Sequence, residues 1–316
     1  MAAVLHPTYL PFTADQLKAH FAPVLADGEL DRHLRYYRAS TQQAKMHADR
    51  MSGGTKPTPA QVRLGRQIEK DERFWVATAL MSLYHEDGGV SRGQLFSRLL
   101  DKGGLRPPAP FARWEEALSG QLELYFEVNL PSPPSYQLWL RDHLDERAPI
   151  PYLRERAEAA GTRLEGATKA DAVLLAADTA VAVIFEAKVL SDISTHITFD
   201  VARNQLARII DVMLEANPKL QDPLCRRDPG RTFMMLLTPA ILRPVATGNA
   251  ASSRLYGWLM PAYQDPDSPL LQQHLPHRDH YDLAEVANRL GWACWEDVRA
   301  ILPGACSWLA AGPRTA

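Results

Sequence analysis

The chain has 316 residues, 46% of them hydrophobic and 23% charged, with a formal net charge of -2. That is enough apolar material for one large core or two ordinary ones, while no run approaches the roughly eighteen uninterrupted apolar residues of a membrane span. Three cysteines, Cys225, Cys294 and Cys306, with no Cys-x-x-Cys pair, exclude a disulfide framework and a zinc knuckle. The opening "MAAVLHPTYLPF" lacks the basic region and long apolar segment of a signal peptide, so a cytoplasmic location is expected. The residues up to 160 read as mostly helical, because apolar positions recur at three and four: helices are expected at 14–26, 29–51, 59–84, 91–101, 111–128, 134–146 and 151–160. "SGGTKPTP", "GGLRPPAP" and "LPSPP" punctuate them as connectors. Between Arg32 and Arg73 lie ten Lys or Arg against four acids. Such a stripe can track phosphates, or form the solvated faces of surface helices.

After Gly161 the pattern changes. "DAVLLAADTAVAVIFEAK", residues 171–188, reads as two buried strands joined by a tight connection at "AADT". Ala202, Leu206, Ile209 and Met213 mark one apolar face of a following helix, and "RTFMMLLTP" at 231–239 is a further buried strand. A helix crossing between strands of one sheet defines an α/β core. Farther on, Asp282 and Glu285 fit a capping box for a final helix or helical pair. Gly291 can turn between two short helices there, or the segment is a packing helix with Trp292 and Trp295 buried.

The strand at 180–185 is apolar at both parities, as in a central strand covered on both faces, yet it runs into Glu186 and Lys188. Residues two apart share a face, so these two charges point the same way. Burying either one unpaired would cost on the order of several kcal/mol, so they must be solvated in a cleft, paired, or bound to a cation. Asp171, at the edge of the adjoining strand, can bring a second carboxylate to the same place. Two carboxylates and a lysine suit a Mg²⁺ site for phosphodiester cleavage, since Mg²⁺ takes one or two carboxylates plus waters and phosphate oxygens. Lys188 would orient or deprotonate the attacking water, or neutralise charge on the phosphate. The alternative for the trio is a salt bridge where the strand leaves the sheet.

Asp171, then Glu186-Ala187-Lys188, then a helix carrying Gln205, resembles the PD-(D/E)xK nuclease superfamily over residues 150–240. The resemblance implies a restriction-endonuclease-like fold: an α/β mixed sheet flanked by helices, here with a mostly α-helical N-terminal region at 1–148 ahead of a nuclease domain at 149–316. It also implies Asp171 and Glu186 as metal ligands, Lys188 as the catalytic lysine, and Gln205 as the polar residue on the following helix. Ala170 stands where the family's name has proline. For the metal-binding Glu that many members carry on an upstream helix, Glu155, Glu158 and Glu165 compete, with Glu158 preferred. Arg208 can touch a phosphate or pair with Asp211, and Lys169 can touch a nucleic-acid backbone or be solvated.

The expected activity is therefore a metal-dependent nuclease, a DNA endonuclease of bacterial defence or restriction type, with Mg²⁺ as cofactor and Mn²⁺ as a substitute. Double-stranded DNA is the expected substrate, a homodimer the expected assembly, and the N-terminal helical region a contact for DNA or a partner protein. The alternatives are an inactive nuclease-like binding or assembly module, or an RNA nuclease. His274, His277 and His280 form no metal spacing, and neither a phosphate-binding Gly-rich loop nor a Gly-x-Ser-x-Gly elbow occurs.

Overall fold

The computed structural model describes residues 12–25, 28–34, 37, 72–161, 164–195, 199–243, 254–306 and 309. Most of the basic stripe, from Arg35 to Lys70, and the "SGGTKPTP" connector lie outside these residues. Among them no helix is long and apolar enough to cross a membrane.

The molecule is α/β, with one five-stranded mixed sheet flanked by helices. The strands are β1 (Leu122–Leu130), β2 (Thr168–Ala176), β3 (Val181–Ala187), β4 (Thr232–Thr238) and β5 (Leu290–Cys294), in spatial order of the chain. β1–β2 and β2–β3 pair antiparallel, while β3–β4 and β4–β5 pair in parallel. Among the described residues the helices of seven residues or more are α1 (Ala14–Phe21), α2 (Glu72–Tyr84), α3 (Arg92–Lys102), α4 (Pro134–Asp142), α5 (Pro151–Ala160), α6 (Gln205–Leu214), α7 (Tyr256–Gln264) and α8 (Trp295–Ile301). One face of the sheet packs under α1, α2, α3 and α8 through Phe21, Phe74, Phe96, Phe185, Phe233 and Trp295. The other packs under α6 and α7 through Ile184, Leu206, Ile209, Leu236, Tyr256 and Trp292. Because β3, β4 and β5 are covered on both sides, their residues are apolar at both parities.

Four expectations are corrected. The helix expected at 111–128 is a single short turn, Trp114–Ala117, followed by β1. There Leu122, Leu124 and Phe126 alternate with period two, and burial on the sheet outweighs the helix preference of Leu and Glu. The division at 148–149 falls between β1 and β2, which pair along eight positions, and α2 and α3 pack on that same sheet, so the described residues upstream of it share the core of the sheet. The helix after β3 begins at Gln205 with Asn204 as its cap, whose side chain accepts from the Ala207 amide at 3.1 Å. Ala202 is therefore exposed and outside the helix. Residues 290–294 are a strand rather than a helix, and Gly291 makes room in it. A Cβ there would lie 2.7 Å from Leu105 Cγ and 3.0 Å from Met235 Cε. Asp282 does cap a short helix, Leu283–Ala287, through the Ala284 and Glu285 amides.

The first two strands switch faces together. In β1, Leu122, Leu124 and Phe126 face the α2 layer, whereas Val128 and Leu130, of the same parity, face the α6 layer. In β2, Ala172 and Leu174 face the α2 layer and Ala170 the α6 layer. The slip falls at Glu127 and Asp171, which lie opposite one another between the pairs Phe126↔Ala172 and Val128↔Ala170. Glu127 absorbs it with φ at 56°, a left-handed conformation that costs a non-glycine residue about 1–2 kcal/mol. The local twist re-aims Asp171 at the edge of the core.

β1 is an outer strand, and α1 covers part of it. His20, on α1, donates through Nδ1 to the Leu124 carbonyl at 2.7 Å, and its Nε2 lies 2.8 Å from His85 Nε2. Burial pushes His20 down to about 4, with His85 and Arg92 adding to the effect against the bond to Leu124. Burial, then Lys169, Arg73 and Arg32, push His33 down to about 4 as well. Between pH about 6.5 and 4 the unfolded chain binds protons that the folded chain refuses, so stability rises with pH across that window and is lost on acidification. Denaturant unfolding should therefore give a smaller free energy at pH 5 than at pH 7. His20→Gln should shrink that difference by about 1–2 kcal/mol; a difference that the substitution leaves intact would place the acid sensitivity elsewhere.

Candidate active site

The pairing of β2 with β3 ends with Ala172 opposite Phe185, so Asp171 and Glu186 are the next residues beyond its last pair. The Ala187 amide turns from the ladder to donate to Asp171 Oδ2 at 2.8 Å. Lys188 follows the last residue of β3, and its own amide continues the pairing with β4 by donating to the Leu237 carbonyl at 2.8 Å. Its backbone carbonyl accepts from Trp295 Nε1 at 3.0 Å. Both ends of the Lys188 peptide are therefore fixed. Its Nζ donates to Glu186 Oε1 at 2.5 Å and lies 3.9 Å from Glu72 Oε2. The sequence trio is thus brought together in one place.

Glu72 opens α2, a residue that sequence reasoning counted only in the charge balance of the basic window. Its Oε1 accepts from the Val189 amide at 2.8 Å, the Leu190 amide at 3.3 Å and the Ser191 amide at 3.1 Å. Ser191 Oγ donates to both carboxylate oxygens. The side chain thereby gathers the loop that leaves β3 and delivers a third carboxylate to Lys188. Its sequence signal was an acid directly preceding the apolar run "RFWVATALM". Asp192, in the same loop, accepts from the Leu255 amide at 2.6 Å and the Tyr256 amide at 3.4 Å, tying α7 to the site.

Glu158 does not join this group. It lies on the exposed side of α5, whose inward residue is Ala157, packed with Tyr136, Leu140, Leu164 and Phe199. Glu155 is likewise exposed. Glu165 is buried in a separate ionic cluster, 2.9 Å from Arg203 Nε and 3.4 Å from Arg208 Nε. Arg208 pairs there rather than with Asp211, because Asp211 is fully buried and engaged by Arg203, His277 and Arg278 at 2.7, 2.9 and 2.8 Å. Gln205 serves the loop rather than the carboxylates: its amide donates to the Ser194 carbonyl at 3.0 Å, and its Oε1 accepts from the Ser194 amide at 3.2 Å. Lys169 is half-exposed, 3.9 Å from Glu127. His274 contacts Tyr263 and Asn204, and His280 is exposed beside Asp279.

Electrostatically the trio is a compromise. Burial pushes Asp171 up to about 6, with Glu72 adding to the rise and Lys188 and the Ala187 amide opposing it. Burial and then the Asp171 charge push Glu186 well above the usual carboxylate range. Burial disfavours the Lys188 ammonium, but Glu186 and Asp171 outweigh it and hold the amine protonated. Two acids are pressed together where one cation does not satisfy both. Glu186 is 1% exposed, and its Oε2 has no hydrogen-bond partner among the described residues.

A hard divalent cation fits that unsatisfied oxygen. Among the described residues no three His, Cys, Asp or Glu side chains are gathered so as to hold a metal by themselves. A cation here would take the Asp171 and Glu186 carboxylates and complete its shell with water and substrate oxygens. Mg²⁺ accepts such a set and structural Zn²⁺ does not. Comparisons with protein-family models, with curated proteins and with solved structures give no match to this chain.

Proposed function

We propose that this protein is a Mg²⁺-dependent nuclease of the PD-(D/E)xK type, cleaving phosphodiester bonds in DNA as part of restriction or antiviral defence. The observation that carries the reading is the buried, unpartnered Glu186 Oε2 beside Asp171, with the Lys188 ammonium in contact. Supporting it is the order of elements: a helix bearing Glu72, three antiparallel strands, a crossover helix and a parallel strand, as a restriction-endonuclease-like fold would have. Asp171 and Glu186 would hold the cation. When bound, Mg²⁺ supplies polarisation of the phosphate and acidifies a water to near-neutral pKa. Lys188, held as an ammonium, neutralises charge that builds on the phosphate oxygens, which favours this among the roles open to it. Glu72 and Gln205 fix the loop from 188 to 195 from its two ends, so the lysine stays aimed. A homodimer would bring two such sites to the two strands of a duplex.

The test is plasmid cleavage in Mg²⁺ or Mn²⁺ by the wild-type chain, Asp171→Ala and Lys188→Ala, with DNA and RNA digested side by side. Wild type should nick or linearise the plasmid, and each variant should lose about 100-fold or more in rate while keeping its circular dichroism spectrum. Cleavage surviving in both folded variants would refute the assignment.

A further inference from the structure

Tyr256 is the first residue of α7 and is completely buried. Its ring meets Trp292 edge-on, with centroids 6.0 Å apart. Trp292, Leu236 and Glu186 occupy one row across β5, β4 and β3. Ala182 and Ile184, which share the parity of Glu186, face the same layer as Tyr256. The tyrosine therefore stands on the face toward which the strand directs Glu186 and Lys188. Asp192 pins it there through the Leu255 and Tyr256 amides, four residues beyond Lys188. The phenolic oxygen is buried and has no hydrogen-bond partner among the described residues. The charges that act on it are those of Arg254, Asp192, Glu72 and Lys188, so it lies within electrostatic reach of the carboxylate site.

A buried hydroxyl left unpaired costs about 1–3 kcal/mol, and a phenylalanine would fill the same apolar surroundings without that cost. The compensation has to come from something that arrives. Neighbouring acceptors on Glu72 are already engaged by the loop amides and Ser191. A newly arriving acceptor would be an oxygen of the phosphate drawn to the Lys188 ammonium.

We propose that Tyr256 is a substrate-contacting residue of this site, its hydroxyl donating a hydrogen bond to a non-bridging oxygen of the phosphodiester held at Asp171 and Glu186. The inference rests on the nuclease reading and adds to it a neutral donor on the side opposite Glu72. Burial pushes the phenol up to about 12, so it stays protonated and able to donate throughout the neutral range. Lys188 contributes charge and Tyr256 direction: a neutral O–H fixed by packing orients the phosphate without adding to the cost of burying ions.

Tyr256→Phe tests this with three readouts on the full chain. Removing the orphan hydroxyl should leave the unfolding midpoint equal to or above that of wild type. The cleavage rate in Mg²⁺ should fall about 10- to 100-fold, and the Kd for a 12-nucleotide DNA strand in Ca²⁺, read by fluorescence anisotropy, should rise about 3- to 10-fold. If wild type cleaves and Tyr256→Phe cleaves and binds equally well, the contact is refuted while the nuclease reading stands. If wild type binds the strand in Ca²⁺ but cleaves nothing, and the variant binds more weakly, the phosphate contact stands and the nuclease reading falls. A drop in midpoint with unchanged binding would assign Tyr256 to packing alone, and absence of both binding and cleavage in wild type would remove both proposals.

Discussion

Glu186→Gln is expected to yield a folded protein that is more stable than wild type without metal and inert with it. Glu186 is 1% exposed and feels the Asp171 charge, and among the described residues only one of its oxygens is met, by Lys188 at 2.5 Å. An amide keeps an oxygen for that ammonium and removes an acid whose ionisation burial and the Asp171 charge both oppose. Lys188 retains Asp171 and Glu72 as counter-charges. The gain should be about 1 kcal/mol in denaturant unfolding, since relief of like-charge burial is partly offset by an amide N–H with nothing to receive it. In Mg²⁺ the order reverses. A cation at ten times its Kd stabilises the wild-type fold by about 1.4 kcal/mol, and the variant, having lost a ligand, should show no shift. Cleavage should fall at least about 1000-fold, because charge stabilisation and ligation go together. A wild-type chain that Mg²⁺ does not stabilise, or a Gln variant that still responds to it, would remove the metal from this site.

How much of this was legible beforehand depends on whether the residue carried a local signal. Asp171, Glu186 and Lys188 did: charges abutting runs of Val, Ile and Ala that have no business near them. Their strands, the connection at 177–180 and the strand of Thr232–Thr238 followed from the same apolar runs. Glu72 carried only a faint version of that signal, an acid ahead of an apolar run. It sits far upstream, opening a helix whose apolar residues are so evenly distributed that no face stands out, and only folding brings its carboxylate to the amides of 189–191. Glu158 looked as good as any upstream acid, because a helical spacing cannot say which side faces the sheet when the buried contact is a lone alanine. β1 and β5 were obscured differently. Leu, Glu, Ala and Trp serve helices and strands alike, and each strand borders a short helix that shares its apolar residues. Gly291, expected either to turn between two helices or to lie in a packing helix, is instead a strand position emptied for Leu105 and Met235.

Arg203→Met is expected to be the most destabilising single change in the described part of the chain outside the apolar core, costing about 3–5 kcal/mol. Arg203 is buried, with its guanidinium carbon 3.6 Å from the centroid of the Tyr136 ring, Glu165 at 2.9 Å and Asp211 at 2.7 Å. Methionine fills much of the volume but supplies no charge. Asp211 keeps His277 and Arg278, whereas Glu165 keeps only Arg208 at 3.4 Å and the Ser132 hydroxyl at 2.7 Å. Glu165 is thus the group left short of a counter-charge, and its desolvation dominates the cost. The pairing itself is of small net worth, since buried ion pairs repay little more than their own desolvation; what hurts is removing one partner. Arg203→Met combined with Glu165→Gln should accordingly recover about half of the loss. The damage should also reach the active site. Arg203 precedes Asn204, which caps α6, and Gln205, whose bonds to Ser194 hold the loop that aims Lys188. Cleavage by Arg203→Met should therefore fall even at temperatures where the variant remains folded, and the double variant should regain it in step with stability. A double variant no more stable than the single one would show that Glu165 is not the orphaned charge, and would move the cost to Asp211 and its contacts with the His277–Arg278 turn.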